Sequence, residues 1–217
     1  MRYGFIGCGN MGSVIARAVC RGAGAENVTL ANRTPAKAEA LAKELGCTAA
    51  DNSTVAADCD VIFLGVKPQM MAGMLAGIAP VLAKRGGKFL LVSMAAGLSM
   101  ARVREMAGGE YPIIRIMPNT PAALGAGMIQ YCSDGVDDGR MFAFLGAMAP
   151  AGRLDAIPEN LMDAASCVSG CGPAWTYQFI EALADGGVAA GLPRAKAQEY
   201  AAQMVLGSAR MVLESGR

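Results

Sequence analysis

Gly7-Cys8-Gly9-Asn10-Met11-Gly12 has the glycine spacing G-x-G-x-x-G and follows residues 2–6, which are predicted to form a short strand. From Met11, apolar residues recur at helical spacing as far as Gly22, so the glycines stand where a strand turns into a helix. In such a turn the first glycine permits the bend, the second lets the backbone approach a pyrophosphate, and the third lets helix and strand pack closely. The stretch therefore predicts a dinucleotide-binding turn; the alternative is a glycine-rich turn that binds nothing.

Beyond this turn, short apolar runs alternate with amphipathic stretches through the first two thirds of the chain. Strands are predicted at residues 2–6, 27–31, 60–64, 88–92 and 112–116, and helices at residues 35–45, 69–83 and 99–106. This alternation is typical of βαβ units and predicts an α/β fold with a Rossmann-type, mostly parallel sheet of about six strands. A further pair of strands, at residues 127–132 and 153–156, is predicted to flank a helix at residues 141–148.

The character of the sequence changes after Pro158. Only helical patterns follow, at residues 161–168, 174–190 and 195–213. We therefore predict a dinucleotide-binding domain at residues 1–157 and a smaller, all-helical dimerisation and substrate domain at residues 158–217. About sixty residues in three helices cannot bury such apolar faces alone. The faces predict a homodimer through the C-terminal helices, or a larger homo-oligomer.

Composition excludes several classes of function. The 217 residues carry a formal net charge of +1, which gives no long-range field to hold nucleic acid or an anionic membrane. The sequence has no histidine, so catalysis through Ser-His-Asp or Cys-His groups is excluded. Its seven scattered cysteines form no C-x-x-C pair, which argues against a disulfide framework or a metal site. With no signal-peptide pattern and no long apolar run, the sequence predicts a soluble, cytoplasmic protein that acts on a small molecule.

The choice of dinucleotide is decided at the end of the second predicted strand. NAD-binding proteins usually place Asp or Glu there, on the ribose 2′-hydroxyl group, whereas this chain has Asn32-Arg33-Thr34. Arg33 can donate to a 2′-phosphate, and Asn32 and Thr34 can add hydrogen bonds. The stretch therefore favours NADPH, with NADH still open. The alternative is that Arg33 is a solvated loop charge.

Further candidates follow other predicted strands, at the edge where ligands of open α/β sheets bind. Lys67 in Gly65-Val66-Lys67-Pro68 can reach a cofactor hydroxyl group or a substrate carboxylate, or it can be solvated. The stretches Ser93-Met94-Ala95-Ala96-Gly97 and Met117-Pro118-Asn119-Thr120-Pro121 are predicted to line the nicotinamide end. We interpret Lys67, Asn119 and Thr120 as positioning residues, and the sequence assigns no acid or base.

Small residues precede the helix predicted at residues 174–190. Ser169-Gly170-Cys171-Gly172-Pro173 is either an anion cradle or, more in keeping with common glycine usage, a tight turn. Gly170, Gly172 and Pro173 are therefore candidate substrate contacts, together with Asn119. On the helix, Glu181 and Asp185 fit a solvated stripe or a subunit contact better than a general acid.

Taken in order, these stretches resemble the pyrroline-5-carboxylate reductases, which reduce a cyclic imine to proline with NAD(P)H. The resemblance covers essentially the whole chain. Its most specific part is Glu181-Ala182-Leu183-Ala184-Asp185-Gly186-Gly187-Val188, followed by Gly191-Leu192-Pro193-Arg194, which is similar to the family signature in the helical domain.

The resemblance implies a cofactor site built from these stretches, and it adds Asn52 to them. The cofactor-binding residues implied are Gly7, Cys8, Gly9, Asn10, Met11, Gly12, Asn32, Arg33, Thr34, Asn52, Val66, Lys67, Pro68, Ala95 and Ala96. It also implies interlocked helical dimers. In the family a Ser-Pro-Gly-Gly-Thr-Thr loop beyond the last helix helps to hold the substrate carboxylate, and this sequence ends at Arg217 before any such loop. From this we expect part of the substrate site to be missing and the helical domain to be incomplete at its C-terminus.

A chain without histidine suits this reaction, because a protonated cyclic imine is already electrophilic and needs no proton donor. Two rival interpretations remain. One is another two-domain NADP-dependent oxidoreductase, resembling the β-hydroxy-acid dehydrogenases. Such an enzyme would need a catalytic lysine on the helix after the first domain, and residues 163–193 contain no lysine. The other is a non-catalytic NADP-binding regulator.

Overall fold

The computed structural model describes residues 1–216. The chain folds into two compact units, one spanning Met1–Gly170 and the other beginning at Cys171. Residues 159–170 thus belong to the first unit, and the predicted domain boundary after residue 157 stays a prediction. Among the residues described, no helix is both long enough and apolar enough to cross a membrane.

The first unit is built on one eight-stranded sheet in the order β3-β2-β1-β4-β5-β6-β7-β8. The strands are β1 Tyr3–Ile6, β2 Val28–Ala31, β3 Thr48–Ala49, β4 Val61–Leu64, β5 Leu90–Ser93, β6 Ile113–Met117, β7 Gly127–Asp134 and β8 Gly152–Ala156. Neighbouring strands run parallel except β6 and β7, which are antiparallel. The mostly parallel sheet is confirmed, and the further predicted pair of strands continues it as β7 and β8.

Nine α-helices are found among the described residues. They are α1 Asn10–Ala23, α2 Pro35–Leu45, α3 Asn52–Asp58, α4 Pro68–Arg85, α5 Met100–Ala107, α6 Asp138–Met148, α7 Met162–Ala165, α8 Gly172–Ala189 and α9 Arg194–Ser215. The helix predicted at residues 161–168 differs in part, because α7 passes directly into a π-helical turn at Ser166–Gly170.

Two apolar layers cover the sheet, and this explains why its central strands β1, β4 and β5 are buried along their whole length. On one face, Phe5 and Phe63 stack with ring centroids 4.4 Å apart and share a cluster with buried residues of α1, α2 and α6. On the other face, Ile62 and Leu64 are buried with residues of α3, α4 and α5. With both faces covered, the open positions for a ligand lie at the strand ends.

The second unit consists of α8 and α9, which bury few side chains between them. The buried cluster there contains Ala184, Ala197 and Ala201, with Ile180 packed against it. Large apolar side chains on both helices stay exposed, among them Trp175, Tyr177, Phe179, Tyr200, Leu206 and Leu213. Taken alone, this unit leaves most of its apolar surface in contact with water.

Candidate active site

The strand register brings the predicted cofactor residues to one edge of the sheet. Ile6, the last residue of β1, lies opposite Ala31 of β2 and Leu64 of β4. The backbone N–H of Gly7 donates to the carbonyl oxygen of Ala31 at 2.8 Å, and that of Gly65 donates to the carbonyl oxygen of Ile6 at 2.9 Å. The three loops that follow these strands therefore leave the sheet side by side.

The three glycines of the first loop meet different constraints. Gly7 has a positive φ of 108°, which other residues rarely adopt. A Cβ atom on Gly12 would lie 2.1 Å from the carbonyl oxygen of Gly7, so only glycine lets α1 start this close to β1. A Cβ atom on Gly9 would meet nothing within 4 Å. The space beside Gly9 is thus left open by the protein, as the approach of a pyrophosphate to the backbone requires.

A cleft of about 510 Å³ opens at these loops. The predicted cofactor residues that line it are Gly7, Cys8, Gly9, Asn32, Arg33, Thr34, Asn52, Val66 and Lys67. Those outside its lining are Asn10, Met11 and Gly12 in the first turn of α1, Pro68 at the start of α4, and Ala95 and Ala96 after β5. Its size suits a ligand of several rings, since sites for small molecules and cofactors usually measure about 300–1,000 Å³.

Several lining residues were not predicted from the sequence. They are Lys37 of α2 and Gln69, Met70, Gly73 and Met74 of α4. Lys37 stands two residues after Pro35, which begins α2, so its place in the first turn of a helix next to the cofactor loop was a usable signal. Together with Arg33 and Lys67 it gives the cleft three cationic side chains, and none of the described residues that line the cleft carries a carboxylate. Such a lining favours an anionic ligand.

Polar side chains brace the loops as well as line the cleft. Asn32 accepts a hydrogen bond from the backbone N–H of Cys8 at 3.1 Å through Oδ1, and its Nδ2 donates to the carbonyl oxygen of Thr34 at 3.1 Å. It thereby ties the glycine turn to the loop after β2. Asp51 caps α3 by accepting from the backbone N–H of Thr54 at 2.7 Å, and this bond lowers the pKa of its carboxyl group.

Cys8 lies in the cleft as a neutral thiol. Burial raises its pKa to about 11, and Cys47 nearby adds to the effect. Its Sγ atom donates to the carbonyl oxygen of Ala31 at 3.5 Å. Since a thiolate is the reactive form of cysteine, this environment disfavours Cys8 as a nucleophile.

The predicted substrate residues lie in two places. Asn119 is buried at the end of β6, next to Thr120, where a 3-10 turn begins, and it hydrogen-bonds to the π-helical turn that ends at Gly170. Gly172 and Pro173 open α8 in the second unit. In that unit Asp185 forms an ion pair with Arg194 at the start of α9, a partner that helical spacing alone did not indicate.

Comparison with known proteins places this geometry in a family. A family model for pyrroline-5-carboxylate reductase dimerisation matches residues 159–217, and one for NADP oxidoreductase, coenzyme F420-dependent, matches residues 2–97. The pyrroline-5-carboxylate reductase of Escherichia coli (strain K12) is 39% identical over 223 residues, an alignment that covers 99% of this chain and 80% of the relative. The chain belongs to the pyrroline-5-carboxylate reductase family.

Other members of the family agree over the same extent. The pyrroline-5-carboxylate reductase of Glycine max is 38% identical, covering 99% of this chain and 78% of the relative. The crystal structure of Plasmodium falciparum pyrroline carboxylate reductase with NADP bound superposes with a TM-score of 0.88 at 33% identity. That superposition covers 100% of this chain and 80% of the other. These relatives confirm the fold class, the oxidoreductase class and the NADP-type cofactor predicted from the sequence.

Proposed function

We propose that this protein reduces 1-pyrroline-5-carboxylate, a cyclic imine, to L-proline with NADPH, the last step of proline biosynthesis. The observation that carries the proposal is the near full-length match to curated pyrroline-5-carboxylate reductases. The chemistry of the cleft supports it, because an open glycine turn and three cationic side chains suit a phosphorylated dinucleotide.

The residues proposed to hold NADPH follow from their position in the cleft. The backbone at Gly9 faces the open space in which the pyrophosphate would lie, at the N-terminus of α1. Arg33 and Lys37, both exposed at the start of α2, would hold the 2′-phosphate. When bound, NADPH supplies the hydride for the reduction.

The chain's own contribution to the reaction is proposed to be placement and exclusion of water. A protonated imine already carries its proton, so the protein need only dock the carboxylate and hold the C=N carbon at a reactive distance. Lys67, Asn119 and Thr120 are the proposed positioning residues. If this is right, the dependence of the rate on pH follows the ionisation of the imine; control by a separate enzyme group would contradict it.

The direct test is NADPH oxidation, followed at 340 nm, by the purified protein with 1-pyrroline-5-carboxylate, and proline formation measured by mass spectrometry. We expect equal amounts of NADPH consumed and proline formed. The control replaces the imine with a β-hydroxy acid and NADP, which should give no reduction of the cofactor. Binding of NADPH without turnover of the imine would reject the proposal and leave the non-catalytic regulator.

Cofactor preference gives a second test, on Arg33 and Lys37. Each charge-assisted hydrogen bond to a phosphate is worth about 1.5–3 kcal/mol, so Arg33→Ala or Lys37→Ala should raise the KM for NADPH about 10- to 100-fold. The KM for NADH should stay within about 3-fold, because NADH has no 2′-phosphate. Lys43→Ala, in the last turn of the same helix, is the matched control and should leave both values unchanged. If Arg33→Ala or Lys37→Ala raised the KM for NADPH and for NADH by the same factor, the assignment of these residues to the 2′-phosphate would be contradicted.

We further propose that the protein is a homodimer through α8 and α9, or a larger homo-oligomer, in the reducing environment of the cytoplasm. The exposed apolar faces of both helices and the match of residues 159–217 to a dimerisation model support the first part. The seven cysteines, all free thiols, support the second.

A further inference from the structure

A buried polar cluster joins the end of β6, the start of β7 and the π-helical turn Ser166–Gly170. Its members are Asn119, Gln130 and Ser169. Asn119 and Gln130 have only 7% and 6% of their surface exposed, and Gln130 lies on β7 opposite Met117 of β6 and Asp155 of β8. Buried amides in such a place need hydrogen-bond partners, and here both find one on the same residue of the turn.

Ser169 is held through its side chain and its backbone. Its Oγ lies 2.8 Å from Oε1 of Gln130 and 3.0 Å from the carbonyl oxygen of Ala165, and its single hydroxyl proton is shared between these acceptors. Its carbonyl oxygen accepts a hydrogen bond from Nδ2 of Asn119 at 2.9 Å. A π-helical turn is rare and is often found at functional sites, so two separate ties to the sheet indicate that its conformation is specified.

The amide of Asn119 is engaged at both ends. While Nδ2 donates to Ser169, Oδ1 accepts from the backbone N–H of Met128 at 3.0 Å. A side chain so occupied and so deeply buried fits a residue that fixes its neighbours better than one that reaches a ligand. What it fixes is the turn that ends at Gly170, a predicted substrate contact.

We propose that Asn119 and Gln130 act as positioning residues, which hold the turn Ser166–Gly170 and with it Gly170 in the conformation that receives the substrate. The proposal rests on the proposed function for its substrate, and it assigns to Asn119 an indirect role in place of direct contact. A small displacement of a substrate-holding group can cost about 100-fold in kcat/KM, so the cluster should matter even without direct contact with the substrate.

The test compares Asn119→Ala, Asn119→Asp and Ser169→Ala. Asn119→Asp can still accept from Met128 but cannot donate to Ser169, so it separates the two bonds of the amide. We expect all three variants to raise the KM for the imine about 10- to 100-fold with a much smaller change in kcat. The dissociation constant for NADPH should stay within about 2-fold, because neither Asn119 nor Ser169 is among the described residues that line the dinucleotide cleft. Ser133→Ala removes an exposed hydroxyl group from β7 and is the matched control.

Two kinetic results would overturn the proposal. If Asn119→Asp behaved like the unchanged protein while Asn119→Ala did not, the bond to Met128 would be the one that matters. If Ser169→Ala left the KM for the imine unchanged, the bond between the Ser169 hydroxyl group and Gln130 would not hold the turn, and Gln130 would have no positioning role.

Hydrogen exchange measured by mass spectrometry gives a readout that does not depend on activity. In Asn119→Ala, the amides of residues 166–170 should exchange faster while those of β1 and β4 keep their protection. Unchanged exchange in the turn would overturn the proposal. If the unchanged protein bound NADPH without reducing the imine, the proposed function would fail, and the exchange data would still decide whether the cluster holds the turn.

Discussion

At the scale of single residues, Gly9 and Gly12 of the cofactor loop are constrained differently, and substitutions should show this. We expect the fold to require glycine at position 12 and the ligand to require it at position 9. Alanine at Gly12 would place its Cβ atom 2.1 Å from the carbonyl oxygen of Gly7, so α1 must move away from β1. Such overpacking costs about 1–3 kcal/mol, and we expect Gly12→Ala to lower the thermal midpoint by several degrees as well as weaken NADPH binding. Differential scanning fluorimetry with and without NADPH measures both effects.

Gly9→Ala is the matched control. Its Cβ atom would meet no protein atom within 4 Å, so the folded protein should keep its thermal midpoint while NADPH binding falls. Equal destabilisation by the two substitutions would show that Gly9 is constrained by the fold and not by the ligand.

Cysteine reactivity is a second prediction at this scale. Burial is the main cause that raises the pKa values of both Cys8 and Cys59 to about 11. At pH 8 only about one in a thousand of these thiols is ionised, and both should resist iodoacetamide and gain reactivity only as the pH approaches 11. Peptide mass spectrometry after timed alkylation measures this, with the unfolded protein as reference. Rapid labelling of Cys59 in the folded protein at pH 8 would contradict it.

At the scale of elements, the helices and strands that the sequence predicted are those whose conformation depends on nearby residues. β1, α1 and β2 follow from the glycine pattern and from apolar spacing within about twenty residues. Residues 166–168 of the turn were predicted as ordinary helix, because apolar spacing does not reveal the hydrogen bonds that Ser169 makes with Asn119 and Gln130, which lie far away in the sequence. Lys37 was missed for a related reason, since periodicity alone does not tell which exposed residue of a helix faces a ligand.

An ion-pair cluster fixes the segment after β8 to the sheet, and it gives a prediction for this segment. Arg115, buried on β6, pairs with Glu159 at 3.4 Å and with Asp163 at 2.9 Å, while Oε1 of Glu159 also accepts from the backbone N–H of Met100 at 2.7 Å. Glu159→Ala removes two of these contacts and should cost about 1–3 kcal/mol in the free energy of unfolding. Denaturant titration measures the loss.

The control for this cluster is Glu105→Ala, which removes an exposed pair with Arg102 on the surface of α5. That change should cost less than about 0.5 kcal/mol. If both variants lost the same free energy of unfolding, the burial of Arg115 would add nothing to the stability that its ion pairs provide.

At the scale of the whole molecule, the exposed apolar side chains of α8 and α9 predict that copies of the protein associate. Trp175 and Phe179 are 65% and 56% exposed on α8, far more than such side chains usually are in a monomer. Light scattering should therefore give a mass of at least twice the 22.2 kDa of one chain. Phe179→Asp should reduce that mass to a single chain, because an unpaired charge in an apolar interface is costly.

Phe142→Asp provides the comparison for the association test. Phe142 is 80% exposed on α6 of the first unit, and its replacement should leave the mass unchanged. If Phe142→Asp dissociated the protein while Phe179→Asp had no effect, the interface would lie on the first unit and not on α8 and α9.

The two edge strands of the sheet, β3 and β8, affect whether copies of this protein aggregate. An unpaired strand offers free amide and carbonyl groups on which another chain can aggregate. β3 has only 2 residues, too few to template a new strand, and β8 exposes the opposite charges of Arg153 and Asp155. Both rims of the sheet are thus protected against edge-to-edge growth into fibrils, even in a chain with 53% hydrophobic residues.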